Sequence, residues 1–295
     1  MPLIPSPLQA STIPEIKVDG RANAELARDV SRLQVDEDLN GLRRLSATFI
    51  AIGPRPGEPQ ERLNWLDGAV LDFGKELRVA MGASDAREEV FAGKLSALEL
   101  SMAQGRAPEV VCLAEDTLMD LRLTRRFKTY ENVSDADLLQ QIASEHGLRA
   151  VADLDGPTWP LVQQWNQSDL AFLRERARRL AAEVWVDGDA LHLATRDRRG
   201  GKALTLIQGS NLQQLRLRAD LAQQRSKVVI GGFDDDEEDA IDEEAGAAAL
   251  AAEAQGNTHG GEVLERAFGE RASYRVREVP LKDEQASALA RAALL

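Results

Sequence analysis

The sequence is poor in the residues that most often build reactive centres. Its 295 residues include one cysteine, Cys112, and only three histidines. A single cysteine cannot close an internal disulfide or supply a cysteine-rich zinc site. Cys112 lies in an apolar run at 110–113, which predicts a buried small hydrophobic residue instead of a reactive thiol.

The three histidines, His146, His192 and His259, are too far apart in sequence to form a local metal site. No two of them have the i, i+4 spacing of helical zinc proteases. His146 ends a predicted helix, His192 alternates with leucines in a predicted strand, and His259 lies in a glycine-rich stretch. We expect a structural role for each.

The sequence also lacks a basic excess and long apolar runs. It has 36 Lys and Arg against 49 Asp and Glu, a net charge of −13. This argues against nucleic acid as a partner, because phosphate binding needs a basic surface, and against an anionic membrane surface. No stretch approaches the ~18 apolar residues of a membrane span, and the proline-rich N-terminus has no basic region typical of a secretory signal. We expect a soluble protein made in the cytoplasm.

Common catalytic and nucleotide-binding motifs are missing. The sequence has no Walker loop, no dinucleotide-binding glycine motif and no Gly-x-Ser-x-Gly elbow. With 49 acids, chance neighbours are too common to single out an acid–base pair. We therefore predict no catalytic, cofactor-binding or metal-binding residues, and no cofactor.

Short strands separated by turns dominate residues 1–115. Strands are predicted at 15–18, 42–52, 76–81, 90–100 and 109–114, and loops at 53–59 and 82–85. In the second strand Leu45, Ala47, Phe49 and Ala51 share one face. Gly93 inside the fourth strand indicates a bulge or a close approach. This region is predicted to be a β-sandwich or a β-barrel.

The pattern changes to a small α/β unit over 116–200. Helices are predicted from Ser134 to His146 and from Ser168 to Ala182, each with a serine N-cap. A hairpin follows at 183–193. The second helix carries four arginines, Arg174, Arg176, Arg178 and Arg179, interpreted as a solvated face, with an anion site as the less favoured alternative.

Strand character returns over 201–295. Strands are predicted at 203–207, 212–219, 227–232 and 274–279, and a helix from Asp283. The acidic run at 234–239, which begins with Asp234 and ends with Asp239, and the alanine- and glycine-rich stretch to 261 predict a mobile surface excursion. The run does not fit a calcium loop, because its sixth residue is Asp239 and not glycine.

Trp159 and Trp165 flank a short segment between the two predicted helices. They could stack a sugar or a base, but the favoured interpretation is that they pack the α/β unit against a barrel.

Several motifs resemble one family in order and spacing. The stretch 164–173 reads Gln-Trp-Asn-Gln-Ser-Asp-Leu-Ala-Phe-Leu. It resembles the Gln-x-Asn-x-Ser-Asp-x-x-Phe-Leu motif of hub proteins of contractile injection machines, the family of phage late-control protein D and the valine–glycine repeat protein (VgrG) of type VI secretion. The segments 133–139, 228–234 and 279–290 resemble further family motifs, so that the resemblance covers about 110–295.

The resemblance implies a fold and a function. Members form homotrimers in which each subunit has two barrel-like tube domains, so that a threefold ring adapts a hexameric inner tube to a trimeric spike. The expected fold class is α+β, mainly β: a first barrel at 1–115, an α/β insert at 116–200 and a second barrel at 201–295, incomplete at Leu295. The implied partners are the tube protein, spike tip and baseplate wedge proteins, within a phage tail or injection particle.

A structural baseplate hub without enzymatic activity is therefore the favoured function. The alternatives are a cell-wall-degrading component, which would need an acid in a cleft near the tryptophans, and a glycan-binding component built on them. The sequence does not separate a phage tail from a type VI or extracellular system.

Overall fold

A computed structural model describes residues 13–53, 62–82, 87–200, 205–209, 212, 214–254 and 256–295 of the chain. The predicted loop at 53–59 and turn at 82–85 lie mostly outside the described residues. The chain divides into two compact units, Met1–Leu121 and Arg122–Leu295. The division into three regions at 115 and 200 stays a prediction.

The first unit is built mainly from antiparallel strands. Its elements are β1 (Glu15–Val18), β2 (Arg21–Ala22), α1 (Ala24–Asp29), β3 (Val30–Asp36), β4 (Arg44–Ile50), β5 (Ile52–Gly53), β6 (Arg62–Leu63), β7 (Glu76–Met81), β8 (Glu88–Ser101) and β9 (Glu109–Glu115), followed by a 3₁₀ helix, Thr117–Arg122. Seven strands form one sheet in the order β2-β1-β7-β8-β9-β4-β3.

One face of this sheet builds the core of the first unit. Leu45, Ala47, Phe49 and Ala51 are all buried, which confirms the alternation predicted for β4. Cys112 on β9 is a free thiol in the same core, as predicted. Within the described residues the edge strands β2 and β3 are not paired with each other, so the barrel stays a prediction.

The second unit mixes strands and helices. Its elements are β10 (Arg125–Val133), α2 (Asp135–Glu145), β11 (Arg149–Asp153), β12 (Trp159–Ser168), α3 (Asp169–Arg179), β13 (Ala182–Asp187), β14 (Ala190–Thr195), a 3₁₀ turn (Arg196–Arg198), β15 (Lys227–Asp234), β16 (Asp239–Ala245), α4 (Ala247–Ala254), α5 (Gly260–Phe268), β17 (Ala272–Arg275) and α6 (Asp283–Leu294).

Local sequence explains the predicted elements that the second unit confirms. Ser134 and Asp137 form a reciprocal capping box at the start of α2. The Ser168 hydroxyl accepts a hydrogen bond from the Ala171 N–H and so caps α3. The turn of the β13–β14 hairpin contains Gly188 with φ +59°, a conformation that favours glycine.

Three small sheets organise this unit. β10 pairs with β12, β11-β14-β13 form a mixed sheet, and β16-β15-β17 form another. Helix α6 lies against β15 and β16, where Ala286, Leu289 and Ala290 join Val228 and Ile230 in a core. The described part of the 201–295 region is thus a three-stranded sheet with helices, and a second barrel there stays a prediction.

Three predictions in the C-terminal region are wrong. Residues 205–207 and 214–219 belong to no strand, although they alternate, because Leu215 and Leu217 are exposed and no sheet face buries them. The acidic run is not an excursion but the tight turn that joins β15 to β16, and the stretch that follows forms β16, α4 and α5. Residues 203, 204 and 213 of the predicted strands at 203–207 and 212–219 lie outside the described residues. The strand predicted at 274–279 is observed at Ala272–Arg275 instead.

The coarse fold class is confirmed. The structure is mainly β with helices. Within the described residues no helix combines the length and apolar character needed to cross a membrane.

Candidate interaction surface

The two longest strands of the second unit form a ribbon with one buried and one exposed face. β10 and β12 are antiparallel, with Phe127 opposite Trp165 and Tyr130 opposite Val162. Because side chains alternate along a strand, each pair of opposite residues shares a face. Tyr130 and Val162 point inward and are buried, and the Tyr130 ring stacks on Phe172 of α3 with centroids 5.7 Å apart.

The opposite face of the ribbon carries exposed aromatic side chains. Phe127 is 78% exposed and Trp165 is 66% exposed, and Leu161 further along β12 is also exposed. We call these three residues the ribbon face. Exposed apolar side chains grouped on one rigid face are typical of interaction sites, and a tryptophan beside a phenylalanine offers large contact area at low entropic cost.

A cluster of hydrogen bonds on the buried face of the ribbon holds its two strands in place. Asp169, the first residue of α3, is almost fully buried. Its Oδ1 accepts from Gln164 Nε2 at 2.9 Å, and its Oδ2 accepts from Arg126 Nε at 3.0 Å. His146 Nε2 lies 2.8 Å from the same Oδ2. One carboxylate thereby links both strands of the ribbon to α2 and α3.

A second buried carboxylate forms a bidentate ion pair. Asp135, the first residue of α2, accepts from Arg176 Nε at 2.6 Å and from Arg176 Nη2 at 2.9 Å. Its Oδ2 also accepts from Trp159 Nε1 at 2.8 Å. The guanidinium of Arg176 lies 4.5 Å from the centroid of the Trp159 ring, a cation–π arrangement. These contacts join α2, α3 and β12.

Neither carboxylate is placed for acid–base chemistry. Each is buried and surrounded by donors that occupy its oxygens. Among the described residues there is no group of three or more acids, histidines or cysteines that could hold a metal ion. The arrangement provides rigidity beneath an exposed aromatic surface.

Comparison with known proteins identifies the family of this chain. A family model described as the Alg8 N-terminal domain matches residues 9–295, nearly the whole chain. The chain belongs to this family. No curated protein matches the sequence significantly.

Solved structures with the same fold are phage tail proteins. The 43 kDa tail protein of prophage MuSo2 from Shewanella oneidensis matches with a TM-score of 0.64 at 15% identity, over 95% of this chain and 77% of that one. A tail protein from Neisseria meningitidis MC58 matches with a TM-score of 0.61 at 12% identity, over 95% and 75% of the two chains. The prophage tail protein gp18 from Listeria monocytogenes EGD-e matches with a TM-score of 0.50 at 12% identity, over 84% and 67%. The resemblance seen in the sequence motifs is thereby confirmed, and this Alg8 N-terminal domain family member has the fold of phage tail proteins.

The three histidines lie apart in this family member. His146 contacts Asp169, as described above. His192 stacks on Trp185 with centroids 4.8 Å apart, and burial lowers its pKa below the ordinary value. His259 Nδ1 accepts from the Glu262 N–H at 3.1 Å and caps α5. Within the described residues, no two histidines share a site.

Two interpretations of the sequence need correction. The two tryptophans do not act together: Trp159 is buried among residues of its own unit, whereas Trp165 is exposed. The arginines of α3 do not form one solvated face, because Arg176 is buried against Asp135. Both differences have one cause, the buried carboxylate of Asp135, which accepts hydrogen bonds from Trp159 and Arg176.

The sequence contains a signal for this missed cluster. Both buried aspartates directly follow a serine N-cap, in the pairs Ser134-Asp135 and Ser168-Asp169. An acid in the first turn of a helix is favoured by the dipole, and this role alone does not require burial. The second role of these aspartates, as buried hydrogen-bond acceptors, becomes visible only from the strands that fold over the start of each helix.

Proposed function

We propose that this chain is a structural baseplate hub subunit of a phage tail or contractile injection particle and that it has no catalytic role. The observation that carries the proposal is the fold that it shares with phage tail proteins over nearly its whole length. The subunit would be made in the cytoplasm and incorporated into the particle.

The proposed mechanism is symmetry adaptation. A homotrimer in which each subunit contributes two similar tube domains presents six near-equivalent edges to a hexameric inner tube and three to a trimeric spike. Closed rotational symmetry of this kind is the usual arrangement of homo-oligomers. In this proposal residues 1–115 and 201–295 provide the two tube domains, residues 116–200 form the insert, and spike tip and wedge proteins are further partners.

The state of the buried acids supports a scaffold role. Asp135 and Asp169 are buried and accept hydrogen bonds from Arg176 and Arg126, so these carboxylates stabilise the fold. The exposed ribbon face, in contrast, offers apolar area to a partner. A rigid unit with an apolar outer face suits assembly better than catalysis.

The test is the mass and symmetry of the purified chain. Multi-angle light scattering should give about three times the monomer mass of 32.3 kDa, and electron microscopy should show a threefold ring that stacks on a sixfold tube when the tube protein is added. A chain that stays monomeric and does not bind the tube protein would contradict the proposal.

A glycan-binding role is the second candidate, favoured by the exposure of Trp165 beside Phe127. Aromatic faces of this kind stack on sugar rings. A glycan array would show binding that Trp165→Ala removes and that Leu161→Ala, on the same face, leaves largely intact. No glycan binding by the wild-type chain would exclude this candidate.

A further inference from the structure

The second unit contains an apolar groove with a basic rim. It lies between α5 and the irregular segment that precedes β15, and its volume is about 760 Å³. Leu221, Leu264 and Phe268 contribute its apolar lining, and Arg225 and Arg271 stand at its margin. A large apolar side chain next to acidic groups is the ligand that such a lining would recognise.

The two rim arginines are not neutralised by acids. The Nη1 of Arg225 donates to the backbone carbonyl of Gln224 at 2.6 Å, and the Nη1 of Arg271 donates to the carbonyl of Glu270 at 3.0 Å. Within the described residues neither guanidinium has a carboxylate partner, whereas Asp220, which also lines the groove, pairs with Arg218. Two positive charges therefore stand at one groove of a chain whose net charge is −13.

The complementary feature lies at the tip of the β15–β16 hairpin. Phe233 is 51% exposed, and it is followed by the acidic turn. Lys282 neutralises Asp234 and Asp236. The exposed carboxylates of Asp235, Glu237 and Glu238 have no ion-pair partner within the described part of the chain. The tip therefore presents a phenylalanine beside three free negative charges.

Groove and tip lie at opposite ends of the same strand. The Arg271 N–H donates to the Ser226 hydroxyl at 2.9 Å, which places the groove beside the start of β15. The acidic turn follows the last residue of β15, eight residues later, a separation of about 25 Å at ~3.3 Å per residue. A tip cannot reach the groove of its own chain, so any contact between them joins two copies.

We propose that the groove receives the β15–β16 hairpin tip of a second copy of this chain. Phe233 enters the apolar lining, and the free carboxylates of the turn pair with Arg225 and Arg271. The contact is head-to-tail, and such contacts generate rings when the rotation closes. The inference deepens the proposed hub function, on which it rests, by assigning one contact between its subunits.

Cross-linking tests the contact directly. Chains carrying Phe233→Cys are mixed with chains carrying Phe268→Cys and treated with a short bismaleimide. Cys112 is buried, and burial raises its pKa to about 12, so it should not react. We expect covalent dimers in the mixture and little product from either variant alone. A control pairs Phe233→Cys with Phe73→Cys, an exposed residue of the first unit. Equal yields in mixture and control would overturn the proposal.

Charge reversal provides a second measurement that does not need cysteine. Reversing the groove (Arg225→Glu with Arg271→Glu) or the tip (Asp235→Lys with Glu237→Lys) should each weaken self-association by at least about tenfold, because like charges then face each other. Combining the reversals in one chain should restore it. Arg21→Glu with Arg106→Glu, two exposed arginines of the first unit, serves as the control for net charge.

The outcomes separate this inference from the hub proposal. A trimer that persists through both reversals and gives no specific cross-link would overturn the inference and leave the hub proposal standing. A specific cross-link in a chain that does not bind the tube protein would support the contact and contradict the hub proposal.

Discussion

At the scale of single residues, the most consequential groups are the buried carboxylates. Asp135 and Asp169 start their helices and are nevertheless enclosed by strands of the ribbon. A buried ion must be paired and hydrogen-bonded, because transfer of an isolated charge from water is very costly. Each aspartate meets this requirement with donors from elements that are distant in sequence.

Asp135→Ala should therefore be strongly destabilising. It leaves the buried Arg176 guanidinium without its partner, and breaking a buried ion pair typically lowers the free energy of unfolding by about 3–5 kcal/mol. Urea unfolding measures the loss. Asp137→Ala, an exposed capping position on the same helix, is the matched control and should cost only about 1 kcal/mol. Similar losses for both would show that the pair contributes little.

Asp116 should make stability depend on pH. Burial raises its pKa from 3.8 to about 6, and hydrogen bonds from the N–H groups of Arg43 and Leu118 only partly oppose this. Between these pH values the folded state binds more protons than the unfolded state, so the free energy of unfolding falls as pH rises. The fall should total up to about 3 kcal/mol.

The control for this pH dependence is Asp116→Asn, which cannot ionise. Urea titration from pH 4 to pH 7 measures the free energy of unfolding of both proteins. The value for the wild type should fall relative to that of the variant as the pH rises. A constant difference would contradict the raised pKa.

At the scale of elements, close packing between strands decides which residues are tolerated. Gly93 in β8 was singled out in the sequence as a bulge or a close approach. A Cβ at this position would lie 2.2 Å from the backbone oxygen of Glu115 and 2.7 Å from the ring of Phe91. The prediction of a close approach is confirmed, and its cause is the neighbouring strand β9.

Gly93→Ala should consequently lower the free energy of unfolding of the first unit by about 1–3 kcal/mol, the usual cost of overpacking. Neither the backbone of β9 nor the buried Phe91 can move away freely. Thermal unfolding followed by circular dichroism measures the change. Gly200→Ala, where a Cβ meets open space, should be nearly neutral, and an equal effect of both would contradict the packing argument.

The acidic hairpin turn should depend on one lysine. Lys282 Nζ lies 3.0 Å from both oxygens of Asp234 and 2.9 Å from Asp236 Oδ2, and these contacts lower the pKa of Asp234. Asp234 Oδ1 in turn accepts from the N–H groups of Asp236 and Glu237. Lys282→Met should leave this carboxylate unpaired and speed amide hydrogen exchange at 236 and 237.

The matched control is Lys227→Met, which removes a lysine paired with acids at the other end of the same hairpin. It should leave exchange at the turn unchanged. Equal protection at 236 and 237 in all three proteins would show that the turn is ordered without Lys282.

At the scale of the whole molecule, each compact unit has a core of its own. The buried cluster around Phe49 and Phe91 contains residues of the first unit alone, and the cluster around Ile230 and Leu289 contains residues of the second alone. Since most of the free energy of folding comes from apolar burial, we expect each unit to respond to its own mutations.

Calorimetry should therefore resolve two unfolding transitions. Asp135→Ala should lower the midpoint of one transition, and Gly93→Ala should lower the midpoint of the other. The double variant should show both shifts, because substitutions in separately folding units act independently. A single transition shifted equally by either substitution would show that the units unfold together.

Local sequence rules predict the elements that local interactions stabilise, but not those that depend on contacts between distant residues. The capped helices α2 and α3, the β13–β14 hairpin and the start of α6 follow from caps, turns and spacing. The sequence does not predict β10 and β12, because their bulge and mixed composition obscure the alternation. The alternation at 214–219 predicts a strand that does not form, because alternation alone does not show whether a partner strand exists.

The sequence by itself determined the mainly β class, the capped helices, the burial of Cys112 and the resemblance to tail hub proteins, since each rests on local pattern or on motif order. Only the tertiary structure decided that Asp135 and Asp169 are enclosed, that Trp159 is buried while Trp165 is exposed, and that the acidic run is a hairpin turn. Burial depends on which elements pack together, and that packing is set by contacts between residues tens of positions apart.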